Sequence, residues 1–183
     1  MKKVNISIIF ITLLFSFITI FGELDKGVVV VLKDASIIIT LLAPFIVNKI
    51  FNRKLSDGFI FVWLIFIFMA HYLGVIYEGY NKWAMYDKVT HTISGVLTAY
   101  VSLLFIPERS EKLWFNVLFI IAFSWMCAGL WETFEFVCDT FFHGDAQRVA
   151  ATGVTDTMTD MLVAFAGASV FSFGYYIKNK CKK

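Results

Sequence analysis

Long apolar stretches constrain the fold of this chain more than any other feature. The segments Phe59 to Met69, Trp114 to Phe123 and Met161 to Tyr176 contain no charged residue and no histidine. A helix needs ~20 mainly apolar residues to cross the ~30 Å hydrocarbon core of a bilayer. Hydrophobic residues make up 59% of the 183 positions, more than the roughly half that is usual in globular proteins. The sequence therefore predicts an all-α integral membrane protein.

Six membrane spans are predicted, and no long loop or linker separates them, so we expect a single membrane domain over 1–183. The start Met1-Lys2-Lys3 is similar to that of a signal peptide. However, the first apolar run is long, and Phe21-Gly22-Glu23 is a poor cleavage site, so we expect this span to be retained. The predicted spans are 4–22, 27–50, 57–78, 87–106, 113–139 and 154–177.

The distribution of Lys and Arg predicts the orientation of the spans. With the N-terminus inside, eleven of the 16 basic residues fall on the cytoplasmic side. The positive-inside rule then favours an N-in, C-in, multi-pass membrane protein, with membrane lipids as partners. The net charge is only +2, and no basic stripe indicates a nucleic-acid partner. The pattern leaves the oligomeric state open.

The ionisable residues within the spans lie near the outer ends of the last four. Residues three or four positions apart share one face of a helix, so each stripe lies on one side of its span. Ionisable groups in spans almost always face the bundle interior or a water-filled cavity, and four such faces at one depth predict one shared site. The residues are His71 in the third span, Asp87 and His91 in the fourth, Glu132, Glu135 and Asp139 in the fifth, and Asp156 and Asp160 in the sixth.

Small residues accompany these stripes. Gly74 follows His71, Gly95 follows His91, and Ala164, Gly167 and Ala168 extend the Asp156/Asp160 face inward. Small residues let helices in membranes approach closely. Such an approach would allow side chains from several spans to meet.

Two interpretations of the acidic residues remain open. They can be separate helix-start carboxylates favoured by the helix dipole, or members of an ion network with Lys33, Lys88 or Arg148. Alternatively, they can form a binding site, because the acids outnumber the nearby bases and require protons or a cation. Carboxylate and imidazole ligands suit Zn, Mn, Fe or Mg. We therefore expect a divalent metal and no organic cofactor.

Roles can be assigned on the metal interpretation. The predicted ligands are His71, His91, Glu135 and Asp160. Glu132, Asp87 or Asp156 is then the general base or orients a ligand. Lys33 either extends to the surface or meets an acid or an anionic group of a substrate, and the two alternatives are held equal.

Four motifs occur in a fixed order: His71-Tyr-Leu-Gly74, Asp87-Lys-Val-Thr-His91 with Gly95, Trp131-Glu132-Thr-Phe-Glu135, and Asp156-Thr-Met-Thr-Asp160-Met161. In that order they are similar to the YjdF-like family of bacterial inner-membrane proteins, a domain of unknown function, over roughly 57–177. The resemblance implies a multi-pass membrane protein and implies no reaction. A more distant likeness is to VanZ-type proteins, which also pair an Asp-x-x-x-His helix start with later acidic helices.

Three functions agree with an acidic and histidine-containing site at the outer face. The first is a membrane-embedded, metal-dependent enzyme acting on a lipid-linked or cell-envelope intermediate. The second is a proton or cation transporter, which the charge-free inner halves of the same spans disfavour, because a relay needs polar steps along its length. The third is a sensor or assembly protein that binds the same ligand without turnover.

Overall fold

The structure is a computed structural model that describes residues 2–22, 24–26, 28–52, 54–106, 112–143 and 145–181, with the backbone alone for 26, 28–30, 32–34 and 150. Every regular element within these ranges is helical, which confirms the all-α prediction. The elements are α1 (Lys2–Gly22), a 3₁₀ turn (Leu24–Lys26), α2 (Val28–Ile50), α3 (Asp57–Ile67) with a π-helical continuation (Phe68–Ile76), α4 (Gly79–Lys82), α5 (Tyr86–Ser102), α6 (Leu113–Phe142), α7 (Val149–Thr152) and α8 (Thr155–Lys180).

Four of the described helices are long and apolar enough to cross a membrane: α1, α3 with its continuation to Ile76, α6 and α8. The apolar part of α2, Ala35–Ile50, is shorter, and α5 has 17 residues. The helices therefore agree with a multi-pass membrane protein. The count of six spans and the N-in, C-in orientation remain predictions.

The chain divides into two compact units, Met1–Lys82 and Trp83–Lys183. In the first unit, α1, α2 and α3 pack on one another around apolar residues such as Ile37, Leu41 and Leu64, all nearly inaccessible. The start of α3 is fixed by Ser56, whose hydroxyl accepts a hydrogen bond from the Phe59 N–H at 3.1 Å, as is usual at a helix N-terminus. The prediction of a single domain over 1–183 stays a prediction.

The π-helical continuation of α3 carries His71 and Gly74, both buried. The ring of Tyr80 lies against Gly74, where a methyl group would overlap it. Short π-helical segments are often found at functional sites. The segment therefore places His71 in the interior of the first unit.

The second unit is a bundle of α5, α6 and α8. Where α5 and α8 cross, two glycines lie against the backbone of the other helix. A methyl group at Gly95 would overlap the carbonyl of Ala164, and one at Gly167 would overlap the carbonyl of Thr92. Farther along the bundle, Ala99, Ile120 and Ala168 are fully buried. Of the small residues noted in the sequence, Gly95, Ala164 and Gly167 therefore lie at a helix crossing, as expected, whereas Gly74 lies in the first unit.

Large apolar side chains cover the outer faces of α6 and α8. Phe136 is 57% exposed, Val170 73% and Phe173 66%. Soluble proteins rarely expose so many large apolar side chains to water, whereas the hydrocarbon core of a membrane accommodates them. The interior of each unit is accordingly small and partly polar, and the exterior is apolar.

Candidate acidic and histidine site

The site of the second unit forms where α5 and α8 begin and α6 passes them. Asp87, Lys88 and His91 lie in the first two turns of α5, and Asp156 and Asp160 lie at the start of α8. Asp156 and Asp160 are both buried. The i,i+4 spacing places each pair on one helix face. The Gly95–Ala164 crossing holds the two helices close enough for these faces to meet.

Lys88 lies at the centre of the three aspartates. Its Nζ donates to Asp156 Oδ1 and to Asp160 Oδ1, each at 2.7 Å, and to Asp87 Oδ2 at 3.1 Å. The Lys88 side chain is 16% exposed. One ammonium group therefore partly neutralises three carboxylates, which is the ion network left open by the sequence.

His91 lies between two acids. Its Nε2 is 3.5 Å from Asp87 Oδ1, and its Nδ1 is 3.9 Å from Glu132 Oε1. Both separations are long for a hydrogen bond. The imidazole therefore lies close to both carboxylates but makes no hydrogen bond of normal length to either.

Among the acids of the cluster, Glu132 has the fewest contacts that could balance its negative charge. Its side chain is almost fully buried. Thr157 and Gln147 lie beside it, yet within the described part of the chain neither carboxylate oxygen meets hydrogen-bond geometry with a partner. Burying a carboxylate without a partner is costly. A buried acid of this kind is stabilised by a proton or by a nearby cation.

Three donor groups lie close enough together to hold a metal ion. Ligand atoms of Asp87, His91 and Asp160 all lie within 4.8 Å of one another. Two carboxylates and an imidazole suit divalent zinc, manganese, iron or magnesium, so the donor set fits such an ion. The Lys88 ammonium bonds two of the same carboxylates, so a divalent ion would compete with it.

A groove borders the cluster along α6 and α8. Its volume is about 370 Å³, and Glu132 and Gln147 line it. Gln147 Nε2 donates to the Glu132 backbone carbonyl and to Thr157 Oγ1, both at 3.2 Å. The groove therefore lies on the surface beside Glu132, whose carboxylate oxygens are buried.

The structure brings five of the acidic and histidine residues singled out in the sequence into one cluster around Lys88. Glu135 lies on the same side of α6, but its Oε1 accepts a hydrogen bond from Trp131 Nε1 at 2.9 Å. His71 belongs to the first unit, where its Nε2 is 3.2 Å from Thr40 Oγ1. The Lys33 side chain lies outside the described residues. All the assigned roles remain predictions. The clustered residues are Asp87, His91, Glu132, Asp156 and Asp160.

Gln147 was not predicted from the sequence, which places it in a short connection without a recognisable motif. Asp139 positions it, because the two carboxylate oxygens of Asp139 accept the Ala146 and Gln147 backbone N–H groups at 2.8 and 2.9 Å. An acid at a helix end followed by a short connection is the only signal of this contact in the sequence. The connection therefore folds back over the site.

Comparison with known proteins identifies the family. No curated protein and no solved structure is significantly similar to the chain. One family model matches it and confirms the resemblance to the YjdF-like family, whereas the VanZ likeness stays a prediction. The match covers residues 4–180, nearly the whole length, and the chain belongs to the family DUF2238, described as a predicted membrane protein.

Proposed function

We propose that this chain is a metal-dependent membrane enzyme whose site lies at the outer leaflet of the bacterial cytoplasmic membrane. The donor atoms of Asp87, His91 and Asp160, gathered within 4.8 Å beside the buried carboxylate of Glu132, carry this proposal. The substrate is a lipid or a cell-envelope intermediate that reaches the site from the bilayer.

The proposed topology has six spans with both termini inside. Within the second unit, the acidic cluster lies at one end of the bundle, and Lys112, Lys178 and Lys180 lie at the other. Basic residues favour the cytoplasmic side. This separation of charge supports an outward-facing site.

The residues of the site divide into ligands and proton-handling groups. Asp87, His91 and Asp160 hold the metal, which when bound polarises a carbonyl or phosphoryl oxygen or activates water. Glu132 borders both His91 and the groove, so it is placed to take a proton from a bound group. Asp156 holds Lys88 at 2.7 Å and thereby positions the ammonium beside the ligands.

Metal content of the purified protein tests this proposal. We expect about one divalent ion per chain in the wild type, and its loss in His91→Ala and Asp160→Asn. His143→Ala and Asp145→Asn are matched controls, because both residues are exposed and lie in the connection after α6. Size-exclusion profiles and circular dichroism establish folding. A wild type without stoichiometric metal, or equal metal in every folded variant, would contradict the proposal.

Two further variants test the remaining ligands predicted from the sequence. If His71 and Glu135 complete the coordination, His71→Ala and Glu135→Gln lose metal as His91→Ala does. If the three gathered residues suffice, both variants retain it. Elemental analysis of the folded proteins distinguishes the two outcomes residue by residue.

The transport alternative receives little support from the described core of the second unit. Away from the acidic cluster, the buried polar residues among the described residues of this unit are uncharged, and two of them bond the helix backbone: Ser124 Oγ donates to the Gly95 carbonyl at 2.9 Å and Ser102 Oγ to that of Ala99 at 2.7 Å. These contacts are typical of close helix packing. Sustained proton or cation flux into liposomes containing the protein would overturn our preference for an enzyme.

A further inference from the structure

We propose that the turn 145–148 is a gate over the acidic cluster, and that it has to lift away from α6 before a substrate meets Glu132. Asp139 and Gln147 are the residues that hold this gate closed. The inference concerns the regulation of the proposed site, and it rests on the proposed function only in giving Glu132 a part in the chemistry.

The carboxylate of Glu132 is enclosed by side chains from three segments of the chain. Both of its oxygens are inaccessible, and the residue as a whole is 4% exposed. His91 on α5 lies 3.9 Å from Glu132 Oε1, while Thr157 on α8 and Gln147 in the turn lie beside the carboxylate. A substrate can therefore meet this carboxylate only after one of the three segments has moved.

Two of the three segments, α5 and α8, are fixed to each other. They meet backbone against backbone at Gly95 and Gly167, and Lys88 joins them through ion pairs of 2.7 Å to Asp156 and Asp160. Moving either helix would break these contacts and separate the proposed metal ligands. Displacement of the turn is therefore the movement that opens the enclosure and leaves the ligands in place.

Hydrogen bonds of two residues hold the turn against α6. The carboxylate of Asp139, in the last turn of α6, accepts the backbone N–H groups of Ala146 and Gln147 at 2.8 and 2.9 Å. The buried side chain of Gln147 donates to the Glu132 carbonyl and to Thr157 Oγ1, both at 3.2 Å. The net free energy of such hydrogen bonds is small, because water replaces them when the groups separate. The turn can therefore open without unfolding of the bundle.

The backbone next to and within the turn is strained in the closed position. His143 and Arg148 have φ angles of 56° and 54°, in the left-handed region that residues other than glycine rarely adopt. Such residues persist only where the surrounding contacts enforce them, and they are concentrated at functional sites and switch regions. Gly153, between α7 and α8, has a φ angle of 61°, which glycine adopts without strain. These three positions are the expected hinges of the gate.

Carboxyl labelling of the metal-free protein in detergent tests the gate. A water-soluble carbodiimide with glycine ethyl ester converts an accessible carboxyl group into an amide, and peptide mass spectrometry locates the product. In the wild type, Glu132 should react at least about tenfold more slowly than Glu78, whose side chain is 62% exposed. Labelling of Glu132 as fast as that of Glu78 would overturn the inference.

Two variants release the two sets of hydrogen bonds separately. Asp139→Asn keeps one acceptor oxygen instead of two, because the other end of an amide is a donor. Gln147→Leu keeps much of the side-chain volume without the donor. We expect each variant to raise the labelling rate of Glu132 about tenfold, equivalent to ~1.4 kcal/mol in favour of the open turn.

Thr152→Val is the matched control for these variants. Its hydroxyl donates to the Arg148 carbonyl at 3.0 Å, so the substitution removes a hydrogen bond of the same connection without touching α6. We expect the labelling rate of Glu132 in this variant to equal that of the wild type. Folded Asp139→Asn and Gln147→Leu proteins that react at the wild-type rate, or an equal increase in Thr152→Val, would contradict the gate.

Amide hydrogen exchange of the wild type tests the same motion without any substitution. The N–H groups of Ala146 and Gln147 should exchange at least about tenfold faster than those in α6 and α8 on either side of Glu132 and Thr157, because opening of the turn breaks the hydrogen bonds of the former alone. Exchange equal to that of these two helices would show that the turn opens only when the bundle unfolds, which would refute the gate.

Metal content of the same variants keeps the gate and the proposed enzyme distinguishable. Asp139 and Gln147 are not among the proposed ligands, so both variants should retain the metal after loading. A gate that opens as expected in a protein that binds no metal would contradict the proposed enzyme alone. Stoichiometric metal beside an unchanged labelling rate in both variants would contradict the gate alone.

Discussion

The contacts of Lys88 are the most informative about the site. Its ammonium bonds three aspartates, so it provides part of the compensating charge that a divalent ion would otherwise provide alone. The two cations are alternatives at Asp87 and Asp160, because both use the same carboxylates. The flexible four-carbon stem of lysine allows the ammonium to withdraw when an ion binds.

Replacing Lys88 should therefore have opposite effects on stability and on metal affinity. In metal-free detergent, Lys88→Met leaves three aspartates without their ammonium and should lower the free energy of unfolding by about 3 kcal/mol, the lower end of the range for a broken buried ion pair. A divalent ion should restore this loss, and the apparent affinity should exceed that of the wild type by about tenfold, because the competitor is gone.

Thermal unfolding with and without Mn²⁺ or Zn²⁺ measures both effects. Lys82→Met is the control, because Lys82 makes a largely exposed ion pair with Glu78 at 3.6 Å, and such pairs contribute little. A Lys88→Met protein that no divalent ion stabilises, beside a wild type that is stabilised, would refute the competition.

The sequence predicts part of the site at this scale and misses the rest for a physical reason. The i,i+4 pairs Asp87/His91 and Asp156/Asp160 are visible because helix periodicity is local. The ion pairs from Lys88 on α5 to Asp156 and Asp160 on α8 depend on the distance between the two helices. A local sequence pattern carries no information about that distance. Gln147 depends likewise on how a short connection folds back.

At the scale of elements, the close crossing of α5 and α8 makes the cluster possible. Gly95 and Gly167 bring backbone against backbone, and this crossing brings Lys88 within 2.7 Å of Asp156 and Asp160. Small residues at such spacing are a recognised feature of membrane helix pairs, so the crossing is predictable from sequence. The π-helical continuation Phe68–Ile76 is not, because no residue in FMAHYLGVI marks where an α-helix widens.

A methyl group at the crossing should push the two helices apart. Gly95→Ala would overlap the Ala164 carbonyl, and overpacking of this kind costs about 1–3 kcal/mol. We expect a lower midpoint of thermal unfolding together with weaker metal binding, because the ligands on α5 and α8 separate.

Gly174→Ala is the matched control for Gly95→Ala. Nothing lies within 4 Å of a methyl group at Gly174, and alanine is the better helix former, so this variant should be as stable as the wild type or more so. Equal unfolding midpoints for Gly95→Ala and Gly174→Ala would show that the crossing is looser than the structure indicates.

At the scale of the whole molecule, the orientation in the membrane decides which compartment the site serves. The helices and their apolar exteriors follow directly from the apolar runs of the sequence. The orientation follows from the positions of basic residues, of which Arg53, Arg109, Lys182 and Lys183 lie outside the described residues. The proposed orientation therefore depends on the distribution of basic residues, and an experiment in the intact membrane tests it.

Cysteine labelling provides that test. The chain has three cysteines, Cys127, Cys138 and Cys181, all free thiols in the structure. In a background with Cys127 and Cys138 replaced by alanine, an impermeant maleimide should label Cys181 only after the membrane is opened. With Cys181 also replaced, Asp145→Cys in the connection after α6 should be labelled in intact cells. The reverse pattern would place the site on the cytoplasmic side.

The central claim is that Asp87, His91 and Asp160 hold a divalent ion. X-ray absorption at the zinc edge of the loaded and desalted wild type tests it most directly. The predicted first shell contains nitrogen and oxygen at about 2.0–2.2 Å, with the multiple-scattering signature of an imidazole that disappears in His91→Ala. Absence of retained zinc, or an oxygen-only shell identical in wild type and His91→Ala, would contradict the claim.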